Sequence, residues 1–431
     1  MFIKIIKSID KKVKQLFFPW SGHSYFGIRF LIIGLALGFF VRIGMLWLVE
    51  YKLLGDASWY MDAAQKIIQN KNFGYYRPPL YPYFIALVTW TVGIGKLNIQ
   101  IIQIIISLIS VLLITRISAC LYPKSSPWVF ILMLCSPFEA VYTGAILSET
   151  LTAFLLIITA FSLINLNDYK RYLFSGIFIG LSVLTRDIYI LLIPFITVVL
   201  IMYSRKNMNI RIRDGVIFTI TSLLIIAPWI YRNNRLTDKF IVVSQGRIGT
   251  TLWLGTWAIN GKWGKDYLPV AFRNKAEKDI IESLPFAYSS EHNNKVDKKF
   301  MTIALNRIYE DPVQVLKTYF LRSPNLWIGT RFDIFSLNQQ WFVRNSFNWY
   351  LIKSFLWGLN FVFLILGIIG IIICFREKKP SIVVALPLIY TAIIYLPLAG
   401  YENRYSQPVY AFILFFSAIT LSKVSKRLRF N

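Results

Sequence analysis

The sequence predicts an all-α polytopic membrane protein, and three observations carry the prediction. Of 431 residues, 56% are hydrophobic and only 16% charged, too apolar a balance for a water-soluble chain of this length. Several apolar runs reach the roughly 20 residues that cross a bilayer as a helix. Lys and Arg outnumber Asp and Glu by 47 to 21, and much of that excess clusters between apolar runs, where it holds loops on the cytoplasmic side. The remaining positive charge suits membrane lipids or a phosphate-bearing substrate, and no nucleic-acid partner is expected. Cys120, Cys135 and Cys374 match no zinc or disulfide spacing. Two histidines, His23 and His292, exclude a His-rich metal site.

Five lysines fall in the first 14 residues, and no small-residue cleavage site follows the next apolar run. They read as a cytoplasmic basic flank rather than a removable signal. The first span covers about 26–48 and leaves the cytoplasm. Arg205, Lys206, Arg211 and Arg213 form a strongly basic cytoplasmic loop that fixes the orientation of the spans before it. Runs of about 98–120, 126–147, 149–166, 172–185 and 188–204 then alternate across the bilayer. Both ends of 79–96 fall outside, so this stretch is expected to lie in the outer interface, with Pro78, Pro79 and Pro82 at its start. Asp56 to Lys71 is a second interfacial helix, because Trp59, Ala63 and Ile67 recur at helical spacing beside Ala64 and Ile68.

A span of about 214–231 leads to Pro228-Trp229 and then to a polar section, 232–352, with 17 Lys and Arg against 10 Asp and Glu. It is too long for a plain connection. Phe300 to Trp327 looks helical with a break at Asp311-Pro312, and a few strands near Phe240–Ser244 stay open. Spans of about 353–375, 380–398 and 407–422 come next, separated by Arg376, Glu377, Lys378 and Lys379 and closed by a basic tail of Lys423, Lys426, Arg427 and Arg429. The count is roughly ten spans with both termini cytoplasmic. Three regions result: a transmembrane catalytic module, 1–231, with outer loop 50–97; the extracytoplasmic section 232–352; and C-terminal helices with a basic tail, 353–431.

This topology sorts Asp56, Asp62, Arg77, Glu149, Arg186, Asp187, Arg232, Glu402 and Arg404 to the outer ends of spans. Ionisable groups at membrane depth are costly and usually face a cavity. Asp56 opens a helix, where a plain N-cap accounts for it; the alternative is a general base for an acceptor hydroxyl. Arg77 is either an interfacial arginine near lipid phosphates or a clamp on a substrate phosphate, a task its charged fork suits. Glu149 also suits a helix N-terminus. Arg186-Asp187 reads as a local ion pair, and Tyr401-Glu402-Asn403-Arg404-Tyr405, after Gly400, as an aromatic belt with a salt bridge.

The run Asp56-Ala57-Ser58-Trp59-Tyr60, then Ala63-Ala64, then Gly74-Tyr75-Tyr76-Arg77-Pro78-Pro79-Leu80-Tyr81-Pro82 resembles the first outer loop of C-type (GT-C) glycosyltransferases. The aminoarabinose transferase and protein O-mannosyltransferase group looks nearest. Ser136-Pro137-Phe138, Leu147-Ser148-Glu149-Thr150-Leu151, Gly180 to Arg186, Ala227 to Asn233, Ile308 to Pro312 and Tyr401 to Tyr405 with Pro408 extend the resemblance in the family's order. It implies a GT-C-type fold, a polyprenyl-phosphate-linked sugar donor, a glycan, lipid or protein acceptor, and transfer with inversion on the outer face of a bacterial plasma membrane. By matching position it makes Asp56 the catalytic base and Arg77 a phosphate ligand. Tyr60, Glu149, Arg186, Glu402 and Arg404 become substrate-binding candidates. Many relatives have two consecutive acids where this chain has Asp56-Ala57, so no cofactor and no metal is expected. A lipid-linked sugar flippase and a polysaccharide polymerase or ligase are the competing classes. A flippase favours charges buried mid-span and pseudo-symmetric halves; a polymerase or ligase uses a diphosphate-linked donor and has no need of the Asp56 loop.

Overall fold

The computed structural model describes residues 2–18, 27–53, 55–203, 207–238, 240–244, 248–256, 290–377, 381–398 and 402–428. His23, Arg205, Lys206, Lys378, Lys379, Gly400, Tyr401 and Arg429 lie outside them, as do residues 257–289 of the polar section. The regular structure among the described residues is helical apart from one two-residue strand pair.

The basic flank is itself a helix, α1 (Phe2–Phe17). Asp10 on it accepts from the Ile28 amide at 2.8 Å, at the start of the first apolar helix, α2 (Ile28–Leu48). The two helices expected at the interface are present as helices, α3 (Asp56–Ile68) and α4 (Leu80–Val92). They pack on each other through Tyr60, Ala64, Tyr81 and Ile85. Next come α5 (Lys96–Leu121), α6 (Ser126–Cys135), α7 (Pro137–Thr143), α8 (Glu149–Asn165), α9 (Asp168–Thr185), α10 (Leu192–Tyr203) and α11 (Met208–Thr237). In the polar section lie α12 (Ile248–Gly255), α13 (Ser290–Glu310), α14 (Pro312–Arg322) and α15 (Pro324–Trp327). The chain ends with α16 (Phe347–Arg376), α17 (Ile382–Ile394) and α18 (Tyr410–Leu428). Among the described residues, five helices are long and apolar enough to cross a membrane, and four shorter apolar helices accompany them. The break at Asp311-Pro312 is realised: Asp311 accepts from the Gln314 amide at 3.0 Å and starts α14.

One expected span differs. Residues 126–147 are not a continuous helix. Pro137 has no amide to bond the Met133 carbonyl, so the ladder breaks there. Ser136 caps the new helix by accepting from the Glu139 amide at 3.3 Å. The carbonyls freed at the end of α6 are met by Arg42, fully buried on α2, which donates to Met133 O at 3.3 Å and Leu134 O at 3.2 Å. Beyond α7 the backbone is irregular to Glu149. Gln100 donates to Gly144 O at 2.6 Å, and Gln103 to Thr143 O at 2.9 Å and Ala145 O at 2.7 Å. Non-helical backbone is tolerated at such depth only where protein supplies its partners.

Two other expected spans begin in short 3-10 helices, Asp187–Leu191 and Asn403–Val409. Residues 240–244 are irregular. The strand pair is β1 (Val49–Glu50) with β2 (Ser336–Leu337), antiparallel, Val49 opposite Leu337. It fastens the polar section to the end of α2.

Candidate functional site

Gly55 has φ +56° and ψ −118°, a conformation only glycine adopts cheaply, and it turns the chain from β1 into α3. Asp56 follows in the first turn. Its side chain does not cap that helix. Oδ1 instead accepts from Arg77 Nη1 at 2.6 Å and Oδ2 from Arg404 Nη2 at 2.8 Å. Arg77 comes from the loop between α3 and α4, and Arg404 from the 3-10 helix before α18. Residues 348 positions apart therefore meet on one carboxylate. Arg77 lies over aromatic faces of α3, 5.4 Å from the Trp59 centroid and 5.7 Å from that of Tyr60.

Behind this pair the charge alternates inward. Arg404 Nε donates to Glu149 Oε1 at 2.5 Å, and Arg186 Nη1 lies 3.4 Å from the same oxygen. Glu149 has no exposed side-chain surface, while Arg186, Arg404, Asp56 and Arg77 expose 13%, 18%, 30% and 35% of theirs. The cluster thus grades from buried to solvent-facing, with Asp56 and Arg77 outermost. Such screened, shared contacts are stronger than isolated surface pairs.

Burial alone would raise the Asp56 carboxyl. Arg404 and Arg77 outweigh it and hold the group down at about 2. Burial raises the Glu402 carboxyl, with Arg404 pulling the other way.

Five candidates, Asp56, Arg77, Glu149, Arg186 and Arg404, therefore form one contiguous cluster. Tyr60 sits beneath it, 6% exposed and edge-on to Tyr81 at 4.8 Å, as a support for Arg77. Glu402 is beside Arg404 but makes no ion pair among the described residues. Asp62 lies outside the cluster, exposed, and pairs with Lys66 at 2.6 Å.

A cleft of about 300 Å³ opens on Asp56 and Arg404 and is walled by Tyr51, Lys52, Lys96 and Phe335. Lys96 donates to the Tyr51 carbonyl and lies 5.8 Å from its ring centroid. Sequence reasoning passed over it, because a lone lysine before an apolar run reads as a topological charge. It also passed over Arg331, which is fully buried and anchors the 403–409 turn. Arg331 donates to Ser406 Oγ at 3.0 Å, Gln407 Oε1 at 3.1 Å and Asn403 O at 3.3 Å, and lies 4.0 Å from the Tyr410 ring centroid. No periodicity marks such a residue inside a polar section.

The fold is that of C-type membrane glycosyltransferases. The sequence pattern of the dolichyl-phosphate-mannose-protein mannosyltransferase family matches residues 76–231. Among solved structures the chain is similar to the oligosaccharyltransferase of Archaeoglobus fulgidus, crystallised with zinc and sulfate. The TM-score is 0.54 and the identity 14%, over 93% of this chain and 49% of that one. The chain thus spans about half the length of that relative, and the likeness is one of fold. It also aligns with ArnT of Cupriavidus metallidurans, in the apo state at TM-score 0.42 and 12% identity over 91% of this chain and 78% of that one. With undecaprenyl phosphate bound, the corresponding figures are 0.41, 11%, 94% and 79%. No curated protein matches the chain.

Proposed function

We propose that the protein is an inverting glycosyltransferase that moves a sugar from a polyprenyl-phosphate-linked donor to an acceptor on the extracytoplasmic face. The observation that carries this reading is Asp56, on the wall of the cleft, held between Arg77 and Arg404. A carboxylate and two guanidiniums are the groups a displacement at a sugar phosphate calls for. The family match over 76–231, which includes Arg77, and the fold support it.

In this reading Asp56 takes the proton of an acceptor hydroxyl. The hydroxyl oxygen bonds to the anomeric carbon from the face opposite the phosphate. The carbon–oxygen bond to phosphate breaks, and its electron pair leaves on the polyprenyl phosphate. Arg77 receives that anion. Arg404, fixed by Glu149, keeps Asp56 oriented, and the apolar helix faces accommodate the lipid. Asp56 at about 2 is a weak base at rest. A donor phosphate competing for Arg77 removes one of the two charges that depress it, so donor binding itself prepares the base.

The test compares surface glycans and lipid-linked envelope molecules by mass spectrometry, in cells carrying the wild-type chain or variants at matched protein levels. Asp56→Asn is expected to lower transfer by about 10²–10⁴-fold and Arg77→Ala by roughly 10²–10³-fold. The mass lost identifies the sugar and the molecule losing it the acceptor. Wild-type glycans in both variants would remove Asp56 and Arg77 from the reaction and bring a flippase or polymerase forward.

A further inference from the structure

Arg232, in the last turns of α11, takes no part in the reaction as proposed, yet it is tied to the loop that carries Arg77. Its Nη2 donates to Asn72 Oδ1 at 2.9 Å and its Nη1 to the Gly74 carbonyl at 3.2 Å. Its guanidinium lies 4.2 Å from the Trp229 ring centroid and 5.1 Å from that of Phe73. Phe73 stacks on Trp229 at 5.8 Å and 25°, and Tyr83, from the start of α4, meets Phe73 edge-on at 5.8 Å.

The loop is also folded on itself. Asn72 Oδ1 accepts from the Gly74 amide at 2.9 Å, and Gly74 has φ +86°, a left-handed turn that suits glycine. Pro78 and Pro79 stiffen the chain just after Arg77. Between the Arg232 staple and these prolines only Tyr75, Tyr76 and Arg77 remain, so the anchor sets where the Arg77 guanidinium is presented. An arginine suits this anchor because one planar group serves two acceptors and stacks on aromatic faces, which an ammonium cannot do together.

The same turn of α11 holds a second strap. Trp229 Nε1 donates to Val243 O at 2.7 Å and Asn233 Nδ2 to the same oxygen at 3.0 Å. Ser244 then donates to Asp187, the neighbour of Arg186. The end of α11 is therefore a common anchor for segments that lead to two arginines of the cluster.

We propose that Arg232 is a positioning residue that acts on the reaction through the 72–77 loop, by fixing Arg77, and not by touching the donor. The inference rests on the assignment of Arg77 to the donor phosphate. The test is a double-mutant cycle on the full-length protein, read as affinity for undecaprenyl phosphate, which needs no turnover.

Arg77→Ala is expected to weaken binding roughly tenfold or more, and Arg232→Ala about three- to tenfold. The double variant should bind no worse than Arg77→Ala alone, because the anchor has nothing left to position. Arg232→Lys should recover little. Asn72→Ala, a surface change that removes one partner of Arg232 together with the Gly74 turn bond, should show the same coupling to Arg77 and guards against a folding defect in Arg232→Ala. Multiplying effects in the double variant, or unchanged binding in both Arg232→Ala and Asn72→Ala, would overturn the role of Arg232 alone. Unchanged binding in Arg77→Ala would overturn the assignment beneath it.

Discussion

Asp56 is held at rest by both of its oxygens. This predicts a specific pH behaviour. Its carboxyl is depressed, so the Arg77 and Arg404 contacts are at full strength above the ordinary carboxylate value near 3.8 and fade as pH falls towards about 2. Acidity near pH 5 should therefore leave the free enzyme's Asp56 ionised. In the proposed reaction a donor phosphate draws Arg77 away, and the same carboxyl rises. The acid limb of kcat, which reports the loaded enzyme, should lie at higher pH than that of kcat/KM. Coincident limbs in a pH–rate series would show that Arg77 stays on Asp56 throughout. Position along the spans put Asp56, Arg77, Glu149, Arg186 and Arg404 among nine outer-end residues, and the resemblance to a family, not position, picked them from that set. Which of them touch was not legible, because Arg404 reaches Asp56 across 348 residues.

At the scale of elements, α3 was readable from its helical spacing and α4 from the parity of the spans around it. The break at Pro137 was not, although Ser136-Pro137 stood in the sequence. The run on either side is apolar enough to count as one span, and hydropathy does not see which partner takes a freed carbonyl. Here that partner is Arg42, from another helix. Arg42→Leu leaves the Met133 and Leu134 carbonyls unmet in a buried place, at a cost of about 3 kcal/mol. A lower unfolding temperature in detergent and a lower yield are expected. A variant as stable as wild type would mean that the α6 end finds other donors.

Over the whole molecule, the polar section is not an appendage. β2 pairs with β1, and Arg331 bridges α16 and the 3-10 helix before α18 through Asn360 and Gln407. Composition announced a large polar segment but not that its end returns to the core. The proposed orientation is testable in a chain lacking Cys120, Cys135 and Cys374. Lys52→Cys and Phe240→Cys should react with a membrane-impermeant maleimide on intact cells, and Asn207→Cys only after permeabilisation. The reverse pattern would put the cleft on the cytoplasmic side.

The alternating cluster also has an arithmetic. Arg77, Arg186 and Arg404 face Asp56 and Glu149, three cations against two anions, which leaves one positive charge unbalanced. The donor proposed above, a sugar joined to a polyprenyl phosphate, is a phosphodiester with a single negative charge and would bring the site to neutrality. The lipid phosphate left after transfer is a monoester with a charge nearer −2, and Asp56, now carrying the acceptor's proton, leaves the site at +2 to meet it. Substrate and product differ little in shape at the lipid end but differ by about one electron charge. In the proposed reaction the charges of site and ligand stay matched through transfer, and the match is lost only when Asp56 gives up its proton.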